Sequence, residues 1–209
     1  MQAVLLESMG NDLTVVNAAR VSFAKCKDDF EEKDARLIRY LATHNHWTPF
    51  AHVTASFRVS APVFVRSQLL KHVVGLVCNE VSRRYVNDLP AMYAPEKWRK
   101  APDSAKQGSG ATHPQTTAIS DVYTEWCYDA IRYYQRLIES GVAPEQARMV
   151  LPQSMMTEWI WTGSLAAFAR VCKQRISGDA QEETRFIAED ISDQLSGVAP
   201  VSWAVLTSG

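Results

Sequence analysis

Val53-Thr54-Ala55-Ser56-Phe57-Arg58-Val59, continued by Ser60-Ala61-Pro62, alternates apolar and polar residues with a period of two. That is the pattern of a strand with one buried face, Val53, Ala55, Phe57 and Val59 pointing inward. Ala61-Pro62 ends the alternation, and Pro62 suits the first turn of a helix, where a missing N–H is no loss. Phe64, Val65, Leu69, Leu70 and Val73 then continue one apolar face and gather Gln68, Lys71 and His72 near the carboxyl end of that helix. Gly75 releases the chain into a polar cluster, Asn79-Glu80-Val81-Ser82-Arg83-Arg84-Tyr85. Ser82, Arg83 and Arg84 supply donors for phosphate oxygens, and Asn79 and Glu80 can pair with sugar hydroxyls or ring nitrogens. A solvated turn carrying an arginine pair is the alternative reading.

Toward the amino terminus, Ala3 to Leu6 reads as a first strand, closed by a turn at Gly10-Asn11-Asp12. Leu13, Val16, Ala19 and Val21 give a loose helical stripe, and Lys25 to Asp29 a polar connection. Phe30 to Thr43 is a clearer helix. Glu31, Glu32 and Asp34 oppose the dipole in its first turns, and Leu37, Ile38 and Leu41 share a face. The turn His44-Asn45-His46-Trp47-Thr48-Pro49-Phe50-Ala51-His52 holds three of the chain's five histidines. Zinc needs to be weighed there, but no carboxylate or cysteine lies among them and Pro49 restricts how the backbone could wrap an ion. No metal is expected.

Toward the carboxyl terminus, residues 99–117 have little to bury and read as a long mobile loop. Ile119, Val122, Trp126, Ala130, Tyr133 and Leu137 make an amphipathic helix that stops at Gly141, its aromatic residues read as core. Pro144 to Leu151 reads as a short helix carrying Arg148, and Met155 to Thr162 as a buried strand or extended segment. Leu165, Phe168, Val171 and Cys172 form another helix with Arg170, Lys173 and Arg175 as its cationic end. A last helix runs from about Ala180 to Leu195, with Gly197 as its stop.

The 209 residues suffice for one substantial core, so residues 1–209 are expected to form a single domain. With 46% hydrophobic and 22% charged residues and a net charge of −1, the chain has an ordinary globular composition. It carries no electrostatic footprint for nucleic acid. Cys26, Cys78, Cys127 and Cys172 show no paired short spacing, which fits reduced thiols in a cytoplasm. Neither a signal peptide nor a membrane span is evident.

Six separated segments, in order, resemble the flavin-dependent thymidylate synthases: Asn17-Ala18-Ala19-Arg20-Val21-Ser22, His46 to His52, Gln68 to His72, Asn79 to Tyr85, Ala147-Arg148-Met149-Val150-Leu151-Pro152, and Arg175 followed by Ala180-Gln181. One such motif is weak, whereas an ordered set spanning nearly the whole chain is specific. The resemblance implies an α/β (α+β) subunit, a mixed, largely antiparallel sheet flanked by helices, assembled as a homotetramer with shared active sites. It implies transfer of the methylene of methylenetetrahydrofolate to C5 of dUMP, with FAD, reduced by NADPH, as hydride source. By position it makes Arg175 and Ser82 catalytic. Gln68, Lys71, Glu80, Ser82, Arg83, Arg84, Arg148 and Arg175 align with nucleotide contacts. Ser22, Thr48, Lys71, His72, Val73, Asn79, Glu80, Ser164 and Arg170 align with flavin contacts.

Departures from the family pattern fall mostly on the flavin side. Lys71-His72-Val73 stands where the family has Arg-His-Arg, with one extra residue before Asn79. Ser164-Leu165-Ala166 and Arg170 stand where Asn-x-Arg and a later Asn are usual, and Ala51 replaces an acidic residue. Arg170 is expected to restore the phosphate charge that Val73 and Ala166 lack. The alternatives are the same scaffold methylating or hydroxymethylating dCMP or dUMP, and a nucleotide-binding relative that has lost flavin. A compact chain with a diverged signature fits a phage genome and a site of action in the host cytoplasm.

Overall fold

The computed structural model of the chain describes residues 1–86, 88–102 and 108–208. Strands β1 (Gln2–Met9), β2 (Thr54–Pro62), β3 (Leu76–Glu80) and β4 (Met156–Ser164) form one sheet in the order β1-β2-β4-β3, each neighbouring pair antiparallel. The alternation at 53–59 thus becomes a strand that reaches Pro62. In the central pair, Phe57 lies opposite Trp161 and Val59 opposite Trp159. All four side chains are buried, together with Phe168, whose ring meets Phe57 at 5.2 Å and Trp161 at 5.5 Å between centroids, edge to face. Each such ring withdraws about 150–250 Å² from water, so this cluster is a large share of the favourable free energy of folding.

The helices are α1 (Asp12–Arg20), α2 (Glu32–Thr43), α3 (Val63–Leu69), α4 (Thr116–Glu139), α5 (Pro144–Ala147), α6 (Leu165–Arg175), α7 (Glu182–Val198) and α8 (Pro200–Thr207). α6 follows β4 directly and packs against α7 and α8, and α7 also packs on β1 and β2. Asn11 caps α1, its side chain accepting from the N–H groups of Leu13 and Thr14 while Thr14 returns the contact. Asp12, read as a turn residue, is buried and accepts from the N–H groups of Val201 and Ser202 at 2.9 and 2.7 Å, so a residue near one end of the chain caps a helix near the other.

Several expectations are corrected. The helix after Pro62 ends at Leu69, which leaves Lys71 and His72 in the following turn and Val73 exposed. After Gly75 the chain forms strand β3 before it reaches the serine-arginine turn, so a solvated turn describes only residues after Glu80. Pro144 to Leu151 divides into α5 and a 3-10 turn, Arg148–Val150. α7 runs through Gly197 to Val198, and α8 had no sequence counterpart. On α4 only Cys127 and Tyr134 are buried, while Val122, Trp126 and Tyr133, read as core, are exposed at 70%, 51% and 54%. Of the loop expected at 99–117, residues 103–107 lie outside the described residues. Its flanks join through a bridge between Arg99 and Thr112, and residues 116 and 117 already belong to α4.

Two glycines shape the sheet edge. Gly75 has φ +75°, the left-handed region that favours glycine. A Cβ on Gly163 would lie 2.4 Å from Leu76 Cδ2 and 2.7 Å from the Gly75 carbonyl oxygen, closer than side chains approach.

A buried carboxylate ties the amino-terminal segment together. Asp34, fully buried at the start of α2, accepts from Arg20 Nη2 at 2.8 Å, from the Glu31 N–H at 3.0 Å and from Lys27 Nζ. Burial pushes its carboxyl up, but Lys27, the Glu31 amide and Arg20 outweigh it and bring the pKa to about 2. A depressed folded-state pKa stabilises fully above the unfolded value of 3.8 and loses that contribution as pH falls toward about 2. Asp34→Asn is expected to destabilise the protein at neutral pH by removing the buried carboxylate that the half-buried Arg20 and Lys27 share, with Lys27 keeping only its contact to Glu31. In chemical denaturation the gap from the parent should shrink as pH falls from 3.8 toward 2, and a constant gap would contradict this assignment.

Candidate functional site

Antiparallel pairing places Glu80, the last residue of β3, opposite Trp159. There Thr157 Oγ1 donates to Glu80 Oε1 at 2.9 Å, and Arg66 of α3 pairs with the other carboxylate oxygen. Arg66 was not singled out from the sequence. The ladder continues by one bond, Val81 N–H to the Glu158 carbonyl at 2.9 Å, and then turns through Ser82 to Tyr85. Within that turn the Ser82 hydroxyl accepts from the backbone N–H and Nε of Arg84, at 3.4 and 3.3 Å, and the Arg84 guanidinium lies 5.0 Å from the Tyr85 ring centroid. Arg83 donates to the Asp88 carbonyl and carboxylate. Arg148, at the start of its 3-10 turn, faces the same space. These side chains line a cleft of about 480 Å³ in which Arg66, Arg83, Arg84 and Arg148 outnumber the one carboxylate, Glu80. It is a local cationic site on a nearly neutral chain, suited to a phosphate ester.

A second cleft, of about 710 Å³, is lined by Gln68, Arg99, Lys173, Arg175 and Gln181. Arg175 closes α6, where a cation complements the helix dipole, and its Nε donates to His72 Nε2 at 3.0 Å. That contact requires a bare Nε2, so the His72 proton resides on Nδ1. Burial, followed by the charges of Arg175 and Arg170, lowers the His72 pKa from 6.5, keeping the ring neutral at physiological pH. Gln68 is held by Gln181 and by the Thr184 hydroxyl, the latter at 3.3 Å.

A third cleft, of about 830 Å³, lies beside the amino end of α6. Ser164 caps the helix by accepting from the Ala167 N–H at 3.2 Å, while Arg170 donates to the carbonyls of Ala166 and Val74 at 3.2 and 2.7 Å. Its lining carries three cations, Arg39, Arg170 and Lys173, with Trp47 and the apolar Val205 and Leu206, and no carboxylate among the described residues.

The fifteen-odd residues named from the sequence are therefore divided by the fold. Glu80, Ser82, Arg83, Arg84 and Arg148 meet in the first cleft; Gln68 and Arg175, with His72 bonded behind, meet in the second; Ser164 and Arg170 meet in the third. Lys71, Val73 and Asn79 are exposed outside all three, as are Ser22 in the turn Val21–Phe23 and Thr48 in the turn Thr48–His52. In the histidine turn, His44 Nδ1 contacts the Tyr40 carbonyl at 2.9 Å and its ring stacks on Tyr40. Among the described residues no three His, Cys, Asp or Glu side chains gather as metal ligands. Cys78 is half-buried, and burial raises its thiol pKa, the opposite of an activated nucleophile.

Residues 4–201 match the family model described as thymidylate synthase complementing protein. The chain is 37% identical over 200 residues to a flavin-dependent thymidylate synthase of Thermus thermophilus, covering 96% of this chain and 73% of that one. It is 35% identical over 204 residues to the enzyme of the same name from Kosmotoga olearia, covering 95% and 86%. Among solved structures, the UMP/dUMP methylase PolB from Streptomyces cacaoi bound with 5-Br dUMP superposes with a TM-score of 0.88 at 29% identity, over 98% of this chain and 94% of that one. The same protein bound with 5-Br UMP gives 0.86 at 28%, over 98% and 92%.

The His72 geometry has a direct readout. Proton NMR of the imidazole should give a titration midpoint below 6.5. Arg175→Ala should raise it only part of the way back, because burial is the larger cause; a midpoint at or above 6.5 in the parent protein would contradict the contact.

Proposed function

The chain belongs to the flavin-dependent thymidylate synthase family and is an enzyme of that kind; from that membership we propose that it methylates dUMP at C5 to give dTMP. Methylenetetrahydrofolate is the carbon donor in this reading, and FAD recharged by NADPH the source of the reducing hydride. The observation that carries it is the pairing of a cationic, serine-lined cleft with a second cleft in which a permanently charged arginine stands beside an amide.

C5 of a uracil becomes nucleophilic when negative charge develops across N3 and O4. A guanidinium at that edge stabilises the charge as it forms. Arg175 is suited to the task because neutral His72 fixes its Nε and leaves the two terminal nitrogens for the ring. Ser82 and Arg84, already joined to each other, present donors for the phosphate, with Arg83 and Arg148 beside them. Glu80 would orient the sugar, its carboxylate steadied by Arg66 and Thr157. A single nucleotide must meet both sets of residues, yet the two clefts have no lining residue in common. A shared site between copies of the chain resolves this, and the exposed Val122, Trp126 and Tyr133 of α4 suit burial in a homotetramer.

The third cleft fits a flavin dinucleotide. Its donor set is cationic, matching a pyrophosphate, and Trp47 and the apolar wall suit flat rings. Arg39, Arg170, Lys173 and Ser164 would hold the group, which when bound supplies the hydride. Arg170 thus takes over charge that Val73 and Ala166 lack, although its bonds to Val74 and Ala166 must be kept or exchanged. No helix of the described residues is long and apolar enough to cross a membrane, and the cytoplasm is the proposed place of action.

Purified protein should carry a flavin absorbance band, or acquire one with FAD once dUMP is present. Given dUMP or dCMP with methylenetetrahydrofolate and NADPH, mass analysis should show a methyl gain on dUMP alone. Turnover of dCMP or a hydroxymethyl product would replace this reading, and colourless protein that binds dUMP would make it a nucleotide-binding relative. Arg175→Ala should lower kcat about 10²–10³-fold, as removal of a donor to developing negative charge does.

A further inference from the structure

Gln68 stands at one end of a line of hydrogen bonds that runs along the second cleft through Gln181 to Glu183 and Arg99. At the far end Arg99 Nη2 donates to both carboxylate oxygens of Glu183, at 2.8 and 2.9 Å, and Nη1 to Glu182 at 2.7 Å. Glu183 is buried. Burial pushes its carboxyl up, but Arg99, the backbone N–H and the Gln181 amide hold it below 4.5, so it is ionised at neutral pH. An ionised carboxylate can only accept, as a guanidinium can only donate.

That polarity propagates. Gln181 must turn its NH₂ toward Glu183, and Nε2 donates there at 3.0 Å. Its carbonyl oxygen is therefore left for Gln68, whose own Nε2 donates to it. Gln68 Oε1 in turn accepts from the Thr184 hydroxyl at 3.3 Å. A glutamine amide with free rotation presents its oxygen and nitrogen in either order, but here the order is dictated by a charge two residues away along the line. One N–H and one lone pair of the Gln68 amide remain, on the wall that also carries Arg175.

Uracil and cytosine differ in the same sense. Uracil offers a donor at N3 next to an acceptor at O4; cytosine offers an acceptor at N3 next to an amino donor. Edge-on, an amide satisfies either ring, but with opposite orientations. Arg175 asks for an acceptor at position 4, which leaves the Gln68 lone pair for N3–H. We infer that the line Arg99, Glu183, Gln181 locks the Gln68 amide in the orientation that reads uracil, and that Gln181 and Glu183 are thereby positioning residues for base choice. The inference rests on the proposed assignment of Arg175 and Gln68 to the nucleotide, and it names which residues exclude dCMP.

Equilibrium binding of dUMP and of dCMP, measured on the 209-residue chain and on Gln181→Met and Glu183→Gln, tests it. The parent should bind dUMP on the order of 10²-fold more tightly than dCMP, because the wrong ring leaves buried donors and acceptors unpaired. Gln181→Met keeps the Arg99–Glu183 ion pair and hence the fold, checked by its melting temperature. It should narrow the ratio by about tenfold or more, and Glu183→Gln, which lets the Gln181 amide turn, should do the same. A folded variant that weakens both nucleotides equally and leaves the ratio intact overturns the lock, as does a parent with no preference or a preference for dCMP. A parent that binds neither nucleotide removes the proposed function itself.

Discussion

The approach of β3 to β4 at Gly163 is the constraint on which the rest depends. With hydrogen in place of a side chain there, the chain can turn at Gly75, lay Leu76 across Gly163 and run back along the edge of the sheet. β4 cannot slide to accommodate a different pairing, because Trp159 and Trp161 are locked into the core against Phe57 and Phe168. The register of β3 is thus inherited from the core. A slip by one residue would exchange Asn79 for Glu80 on the face that carries Thr157 and Arg66. The cationic turn at Ser82 to Tyr85 begins where it does for the same reason.

From that anchor most of the residues singled out from the sequence for the nucleotide divide between two clefts. One is arginine-rich and built on the end of β3 and the turn at Arg148; the other is built on the ends of α3 and α6 and on the start of α7. The two clefts have no lining residue in common.

Much of this was legible in the sequence, and the misses have physical causes. The alternation at 53–59 and the stripe of α2 were readable because apolar residues recur on one face of each with polar residues between them. β3 was not, since at a sheet edge no residue is fully buried, only Leu76, Cys78 and Glu80 are half-buried, and the polar residues imitate a turn. α8 lacks a polar cap of its own, because its capping carboxylate comes from Asp12. The aromatic stripe of α4 had the right period for a helix, yet period alone does not say whether the covering surface belongs to the same chain. Arg175, Arg84 and Ser82 stood out by type, as donors suited to an anionic ligand. Arg66, Arg99 and Glu183 did not, and only their ion pairs in the fold bring them to notice.

The shared site proposed above has one nucleotide held by Arg175 from one copy of the chain and by Arg84 from another. Mixing separately inactive Arg175→Ala and Arg84→Ala proteins under conditions of subunit exchange measures it directly. In mixed assemblies some sites then receive both intact arginines, and activity should return to about a quarter of the parent value on random association. Activity that stays at the level of the two separate variants, in assemblies shown to be mixed, would place the whole site within a single chain and contradict the account.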